Sequence, residues 1–179
     1  MHKKENILLH ICCAPCSTAA MERLKNEYEL VGMFCNHNIY PEEEYLKRLE
    51  ETRKYCKKVG IRLIETKYDH QDWLKQIKGL EREPEGGKRC LKCYEIRLKE
   101  IILEAAKNNF DYFTTTLTIS PYKNFEEIKK IGDKLGQEFK VKFLDIDFKK
   151  KDGFRKSVEL SKKNNLYRQH YCGCEFSRQ

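Results

Sequence analysis

The chain contains 179 residues, of which 40% are hydrophobic and 36% are charged, and it carries a formal net charge of +8. No stretch approaches the ~18 consecutive apolar residues of a membrane span, and the N-terminal residues lack the apolar core and cleavage site of a secretory signal. We therefore expect a cytoplasmic protein without a membrane partner. The positive charge permits a polyanionic partner but does not require one.

Strand and helix patterns alternate along the whole chain. The sequence predicts strands at 6–11, 29–35, 61–66, 110–117 and 141–148. It predicts helices at 14–27, 41–60, 69–77, 90–109, 125–136 and 153–163. This order predicts an α/β fold: a single three-layer, Rossmann-like domain with a mostly parallel sheet that spans residues 1–179. The domain includes a cysteine-bearing C-terminal tail at about 165–179.

The loops after the first four predicted strands are candidates for one ligand site. In open parallel sheets the ligand lies beyond the carboxyl ends of the strands. The segments at 12–13, 35–40, 67–69 and 117–123 follow these strands, so we expect them to meet at one edge of the sheet.

Seven of the nine cysteines form three close-spaced groups. The groups are Cys12, Cys13 and Cys16; Cys90 and Cys93; and Cys172 and Cys174. A cytoplasmic chain keeps its thiols reduced, so clustered cysteines predict metal ligands or a redox centre rather than a disulfide framework. Cys35 and Cys56 lie outside these groups, and we expect them to be packed or half-exposed side chains.

Three kinds of site remain open for the grouped thiols. A thioredoxin-type dithiol would use Cys13 and Cys16 but leave the other groups idle. A structural zinc ion would need four thiolates from any two groups. An iron–sulfur cluster would also take four cysteines, and the surplus thiols would then favour a second metal or a redox pair, and hence catalysis.

The stretches around the cysteines are LLHICCAPCS, NIYPEEEYLKR, PEGGKRCLKCYEIRL, FTTTLTISPYKN, FLDIDFKKKDGF and YRQHYCGCEFS, in that order from Leu8 to Ser177. This ordered set resembles the cobalamin-independent epoxyqueuosine reductase family, QueH. The resemblance implies an oxidoreductase that reduces epoxyqueuosine to queuosine at the wobble position of tRNA, the last step of queuosine biosynthesis. It implies tRNA and an unidentified electron donor as partners, and it does not decide between a monomer and a dimer.

The resemblance further implies a [4Fe–4S] cluster with a second metal (a mononuclear iron or zinc) or a redox-active thiol pair beside it. It assigns four cysteines to the cluster, namely Cys12, Cys13, Cys90 and Cys93. The tail cysteines, Cys172 and Cys174, would be the redox pair or ligands of the second metal. Cys16 is a further candidate metal ligand.

Two adjacent cysteines raise a physical objection, because successive residues on an extended segment point to opposite sides. If Cys12 and Cys13 diverge, one of them could hold a separate iron together with a tail thiol and Asp69, which follows the third strand. Asp69 is also placed to cap a short helix. Candidate proton donors on the same loops are Tyr40, Tyr122 and Lys123, each of which could instead be a core or substrate-contact residue.

Basic and aromatic residues near the C-terminal end are candidates for contacts to tRNA. Lysine and arginine occur at 149–151, 155–156 and 162–163, a pattern typical of phosphate contacts or simply of a solvated face. An unstacked anticodon base needs a planar partner. The planar side chains beside the tail cysteines are Tyr167, Arg168, His170 and Tyr171.

Two other functions remain open. The resemblance places the fold near the nucleotide-binding domain of tRNA-thiolating enzymes, the HUP/PP-loop class, so a cluster-dependent tRNA thiolation enzyme is one alternative. The loop HICCAPCST, however, has no glycine run for a phosphate, so we do not expect ATP. The other alternative is a zinc-stapled RNA-binding module.

Overall fold

The computed structural model describes residues 4–177, and this part of the chain forms five strands and six α-helices. The strands are β1 (Asn6–His10), β2 (Glu29–Phe34), β3 (Arg62–Glu65), β4 (Tyr112–Thr115) and β5 (Lys142–Phe143). The helices are α1 (Ala14–Leu24), α2 (Glu42–Val59), α3 (His70–Gln76), α4 (Lys88–Lys107), α5 (Phe125–Phe139) and α6 (Gly153–Lys163). Short 3-10 turns follow β4, at Thr116–Ile119, and end the described tail, at Glu175–Ser177.

The five strands form one parallel sheet in the order β3-β2-β1-β4-β5. Side chains alternate across the central strand, as the two-residue period of a strand requires. Ile7 and Leu9 pack into a core with residues of α1 and α2, whereas Leu8 packs on the other face with residues of α4 and α5. The predicted three-layer α/β fold with a parallel sheet is therefore confirmed.

Helix α2 shows how local sequence sets a boundary. It follows Pro41, carries glutamates in its first turn and lysines in its last, and ends at Gly60 in the left-handed conformation (φ 73°). These charges complement the helix dipole, and glycine adopts a positive φ without strain. Within residues 4–177, no helix has both the length and the apolar content needed to cross a membrane.

The last two strands are shorter than predicted. The strand predicted at 110–117 ends at Thr115, whose hydroxyl accepts a hydrogen bond from Leu117 N and so turns the chain into a 3-10 turn. The strand predicted at 141–148 is only two residues long. Beyond it, the hydroxyl of Thr114 donates to the carbonyl oxygen of Leu144, and the hydroxyl of Thr118 donates to that of Ile146, each at a distance of 2.8 Å. Beyond β5, these side-chain hydrogen bonds thus stand in for backbone hydrogen bonds between strands that the alternating sequence pattern predicted.

Gly153 at the start of α6 provides a test of how closely this helix packs against the backbone of Phe148. A Cβ atom at this position would lie 1.7 Å from the backbone oxygen of the buried residue Phe148. We expect Gly153→Ala to lower the free energy of unfolding by about 1–3 kcal/mol, because the backbone must move to admit the methyl group. Chemical denaturation would measure this loss. The exposed Glu159→Ala on the same helix is the control and should stay near wild type; an equal stability of both variants would contradict the packing described.

Candidate metal centre

The turn between β1 and α1 brings three thiols together. The chain bends at Cys12, and Cys13 is the extended residue that precedes α1 (φ −170°). The Sγ atoms of Cys12 and Cys13 are 3.9 Å apart, and with Cys16 they form a group whose sulfur atoms all lie within 4.8 Å of one another. The bend after β1 therefore removes the objection that Cys12 and Cys13 could diverge, because it replaces the extended geometry on which that objection depended. Three thiols this close are able to share one inorganic centre.

The thiol of Cys12 is stabilised as a thiolate. Hydrogen bonds from the thiols of Cys13 and Cys16 hold its pKa well below the usual range; burial opposes this shift, while Arg97 and the Thr116 hydroxyl reinforce it. The Thr116 hydroxyl donates to Cys12 Sγ over 3.2 Å. Because the thiolate is the form that binds metals, this electrostatic environment favours a ligand role for Cys12.

The tail supplies a hydrogen bond to the same group. Gln169 Nε2 donates to Cys13 Sγ over 2.9 Å, although the two residues are 156 positions apart. The pKa of Cys13 is raised, chiefly by its hydrogen bond to Cys12. Docking of the tail therefore completes the surroundings of the first thiol group.

Cys90 and Cys93 lie in the first two turns of α4, which begins at Lys88. Cys93 packs with Cys174 and Trp73 in a small apolar cluster, so the middle and tail cysteines do meet. Burial raises the pKa of Cys93 to about 11. Among residues 4–177, however, the group of ligand atoms within 4.8 Å contains only Cys12, Cys13 and Cys16. The four-cysteine cluster set that the resemblance implies stays a prediction.

Two cations connect the three groups of thiols. Arg97 follows Cys93 by one helical turn and is only 2% exposed. Burial alone would lower its pKa, whereas electrostatic interaction with the thiols of Cys93, Cys12 and Cys172 raises it. Lys123 is affected in the same way: burial acts against its charge, and Cys172, Tyr94 and Cys12 raise its pKa. The start, middle and end of the chain therefore all act on the same two cations.

A neutral histidine supports the buried arginine. His10 Nε2 faces two acceptors, Cys35 O and Asn36 Oδ1, so the ring proton is assigned to Nε2. Nδ1 then accepts from the hydroxyl of Thr115 at 2.8 Å. Burial, followed by the nearby Arg97, lowers the pKa of His10 to about 3. With both ring nitrogens engaged, His10 orients Asn36 and is not available as a ligand.

The tail is fastened by a buried arginine on α2. Arg48 is 2% exposed, pairs with Glu44 at 2.6 Å, and donates to the carbonyl oxygens of Cys172 (3.0 Å) and Tyr171 (3.3 Å). Gly173, between the two tail cysteines, has φ +115°, a conformation that favours glycine. These contacts set the path of the chain at Cys172 and Cys174.

The structure places Asp69 and Tyr40 in local roles. Asp69 is exposed, and its carboxylate caps α3 by accepting from Asp72 N at 2.9 Å. Tyr40 stacks on His70 with ring centroids 5.1 Å apart, and its carbonyl oxygen accepts from the Tyr171 hydroxyl. The ligand role of Asp69 and the proton-donor role of Tyr40 stay predictions. The expectation that Cys35 and Cys56 are packed is confirmed, since both are fully buried.

The basic stretch at 149–151 does not act as one surface. Lys149 turns inward, where its Nζ atom contacts Asp147 and the carbonyl oxygens of Thr118 and Lys123 at 3.3–3.4 Å. It therefore fastens the loop that carries Lys123. Lys150 and Lys151 are exposed and leave a smaller basic surface at the carboxyl edge of the sheet.

Comparison with known proteins identifies the family. The chain matches the family model described as "Epoxyqueuosine reductase QueH" over residues 7–179. A relative of that name from Streptococcus pyogenes serotype M1 is 39% identical over 180 residues, which cover 97% of this chain and 71% of the relative. Another from Haemophilus influenzae is 40% identical over 173 residues, which cover 96% of this chain and 71% of the relative. The chain belongs to the epoxyqueuosine reductase QueH family. It is therefore an oxidoreductase, as the resemblance implied.

Solved structures of similar shape come from other tRNA-modifying proteins. The U34-tRNA thiolase NcsA from Methanococcus maripaludis, solved with its [4Fe-4S] cluster, has a TM-score of 0.58 and 17% identity, covering 99% of this chain and 63% of that chain. A predicted subunit of a tRNA methyltransferase from Methanocaldococcus jannaschii has a TM-score of 0.60 and 10% identity, covering 93% of both chains. At these identities the likeness shows the fold alone.

Several residues of this site were not predicted from the sequence. They are Arg97, Arg48, Gln169, Thr116, His10 and Asn36. Arg97 was accessible to sequence reasoning, because it follows Cys93 by four residues on a helix and therefore shares its face. Gln169 and Arg48 depend on how the tail docks, for which the sequence offers no periodic signal.

Gly173 provides a test of tail docking. A Cβ atom there would lie 2.9 Å from Ile39 Cγ1 and 3.0 Å from Arg48 Nη1, at an unfavourable φ. We expect Gly173→Ala to loosen the tail and to speed hydrogen exchange at the Tyr40 amide, which donates to Gly173 O, by about tenfold or more. The control Gly60→Ala also has a positive φ but open space around it. Equal exchange at Tyr40 in both variants would contradict a tail held by Gly173.

Proposed function

We propose that this protein is an epoxyqueuosine reductase that converts epoxyqueuosine to queuosine at the wobble position of tRNA. The reaction breaks both carbon–oxygen bonds of the epoxide, consumes two electrons and two protons, and releases the alkene and water. The observation that carries the proposal is the group of three thiols within 4.8 Å at the carboxyl edge of the sheet, in a chain that matches the family over residues 7–179. Its relatives are named for this activity.

The donor set fits an iron–sulfur centre, which we propose as a [4Fe–4S] cluster. Buried polar atoms near the thiols have no hydrogen-bond partner within residues 4–177; they include Arg97 Nε and Gln169 Oε1. Unpaired buried groups are rare, so they favour a bound group at this edge. We assign the cluster to four thiols, Cys12, Cys13, Cys90 and Cys93. A second iron or zinc, or a redox pair, would use Cys172 and Cys174, with Cys16 and Asp69 as further candidates.

Residues of the chain would prepare this centre and its substrate. When bound, the cluster would supply electrons one at a time, and a second metal would act as a Lewis acid. Thr116 orients Cys12, and Gln169 orients Cys13, through their hydrogen bonds. Lys123 would hold a proton near the reacting oxygen, with Tyr40 and Tyr122 as alternative donors. An external one-electron carrier would restore the electrons.

Cysteine substitutions distinguish loss of the proposed metal centre from a general loss of folding. Cys12→Ser removes one thiol from the group of three. Cys56→Ala removes a buried thiol of the hydrophobic core that has no role in the proposed centre. We expect anaerobically reconstituted wild type and Cys56→Ala to hold iron and to remove one oxygen atom from epoxyqueuosine tRNA, read by mass spectrometry of digested nucleosides. Cys12→Ser should lose most of its iron and most of its activity on epoxyqueuosine tRNA.

The same experiment distinguishes the alternative functions. Reduced, iron-loaded wild type that leaves epoxyqueuosine tRNA unchanged would contradict the proposed activity. Sulfur incorporation into tRNA in the presence of ATP would indicate a thiolation enzyme. A colourless protein with zinc and no iron would indicate an RNA-binding module.

We also propose that Lys150 and Lys151 contact tRNA phosphates. Charge reversal of both lysines should weaken tRNA binding and reduce the slope of log K against log salt by about 2, since each phosphate contact contributes about 0.9. Binding titrations at several salt concentrations would measure this. The control is charge reversal of Lys57 and Lys58, an equal charge change on exposed residues at the end of α2, at the opposite edge of the sheet. Equal effects of both pairs would remove this surface from the proposal.

A further inference from the structure

Arg97 is a buried guanidinium group without a carboxylate partner among residues 4–177. Its Nη2 atom donates to Asn36 Oδ1, and its Nε atom has no hydrogen-bond partner in this part of the chain. The two other deeply buried arginines are compensated differently. Arg48 pairs with Glu44. Arg89 also lacks a partner at Nε, but its Nη1 atom donates to the carbonyl oxygens of Glu81 and Glu83, whereas Arg97 donates to a single amide oxygen.

A charge buried in this way is costly unless a negative group lies nearby. The ionisable groups around Arg97 are thiols of all three cysteine groups, among them Cys93, Cys12 and Cys172. A [4Fe–4S] cluster with four thiolate ligands carries net negative charge, so it would complement the guanidinium more fully than the thiols alone.

The guanidinium is also fixed relative to the thiol loop. Asn36, which accepts from Arg97, donates through Nδ2 to the carbonyl oxygen of Ile11 at 2.8 Å, directly before Cys12. His10 Nε2 donates to the same Asn36 oxygen at 3.2 Å. Arg97 therefore occupies a defined position, set by β1, the loop after β2, and α4 together.

We propose that Arg97 is a positioning residue that stabilises the negative charge of the thiol-bound centre and raises its reduction potential. This inference rests on the proposed function, because it needs a redox-active centre on these thiols. The physical basis is general: a fixed positive charge in a region of low dielectric constant favours the form of the centre that carries one more electron.

Three variants test the role of charge. Arg97→Met removes the charge and keeps an apolar stem, Arg97→Lys keeps the charge, and Arg53→Met removes one charge from an exposed ion pair on α2. In anaerobically reconstituted protein, we expect Arg97→Met to shift the reduction potential to more negative values and to lower the iron content. Arg97→Lys should recover most of both properties, and Arg53→Met should match wild type. Potential is read by reductive titration with electron paramagnetic resonance, and iron by chemical analysis.

Thermal unfolding distinguishes this role from a purely structural one. In metal-free protein, Arg97→Met removes a poorly compensated buried charge, so it should unfold at the same or a higher temperature than wild type. In the reconstituted protein the order should reverse. Arg97→Met that lowers the unfolding temperature equally in both forms, or that leaves the potential unchanged, would overturn the inference.

The outcomes also separate this inference from the proposed function. Wild type that holds iron and reduces epoxyqueuosine tRNA, together with an unaffected Arg97→Met, contradicts only the role of Arg97. Wild type that holds no iron contradicts both proposals.

Discussion

The site depends on one geometric constraint, the bend that follows β1. A regular strand would send Cys12 and Cys13 to opposite faces of the sheet. The bend instead places their sulfur atoms 3.9 Å apart, and the first turn of α1 adds Cys16. Mutual hydrogen bonds then favour a thiolate at Cys12. Every other feature of the site, from the Thr116 hydroxyl to the buried arginine, is arranged around this local group.

Docking of the C-terminal tail supplies the contacts of the site that the bend after β1 cannot provide. Arg48 lies on α2 and holds the carbonyl groups of two tail residues, so that Gln169 reaches Cys13 and Cys174 packs with Cys93. The candidate site is consequently built from segments more than 150 positions apart. Loss of tail docking would leave the sheet intact but remove part of the site, because the core on either face of the sheet is built mainly from the strands and helices.

The sequence predicted the sheet and the helices because their signals are periodic and local. Apolar alternation located all five strands, and the proline, glutamates and glycine of α2 located its ends. The prediction was wrong where side chains compete with the backbone: Thr114 and Thr118 bond the carbonyl groups beyond β5 and shorten it. At the site, the cysteines were evident from spacing, whereas Gln169 and Arg48 were not, since their partners are set by tertiary docking. Lys149 was misassigned to a solvated surface because charge alone does not show which way a side chain turns.

The turn after β1 also shows how a parallel α/β fold presents thiols at the edge of the sheet where such folds bind ligands. In such folds the first strand leads into a helix whose N-terminal amides and dipole favour an anion, usually a phosphate approached through glycines. Here the same position carries Cys12, Cys13 and Cys16, with Pro15 inside the first turn of α1. Of these three thiols only Cys12 has a lowered pKa, whereas hydrogen bonds to Cys12 raise the pKa values of Cys13 and Cys16. A thiolate at Cys12 would be an anion close to the N-terminus of α1, where the helix dipole favours negative charge. The buried guanidinium of Arg97 adds a second, fixed positive charge. This edge of the sheet therefore keeps its preference for negative charge, while its side chains offer thiols where other folds of this kind offer glycines to a phosphate.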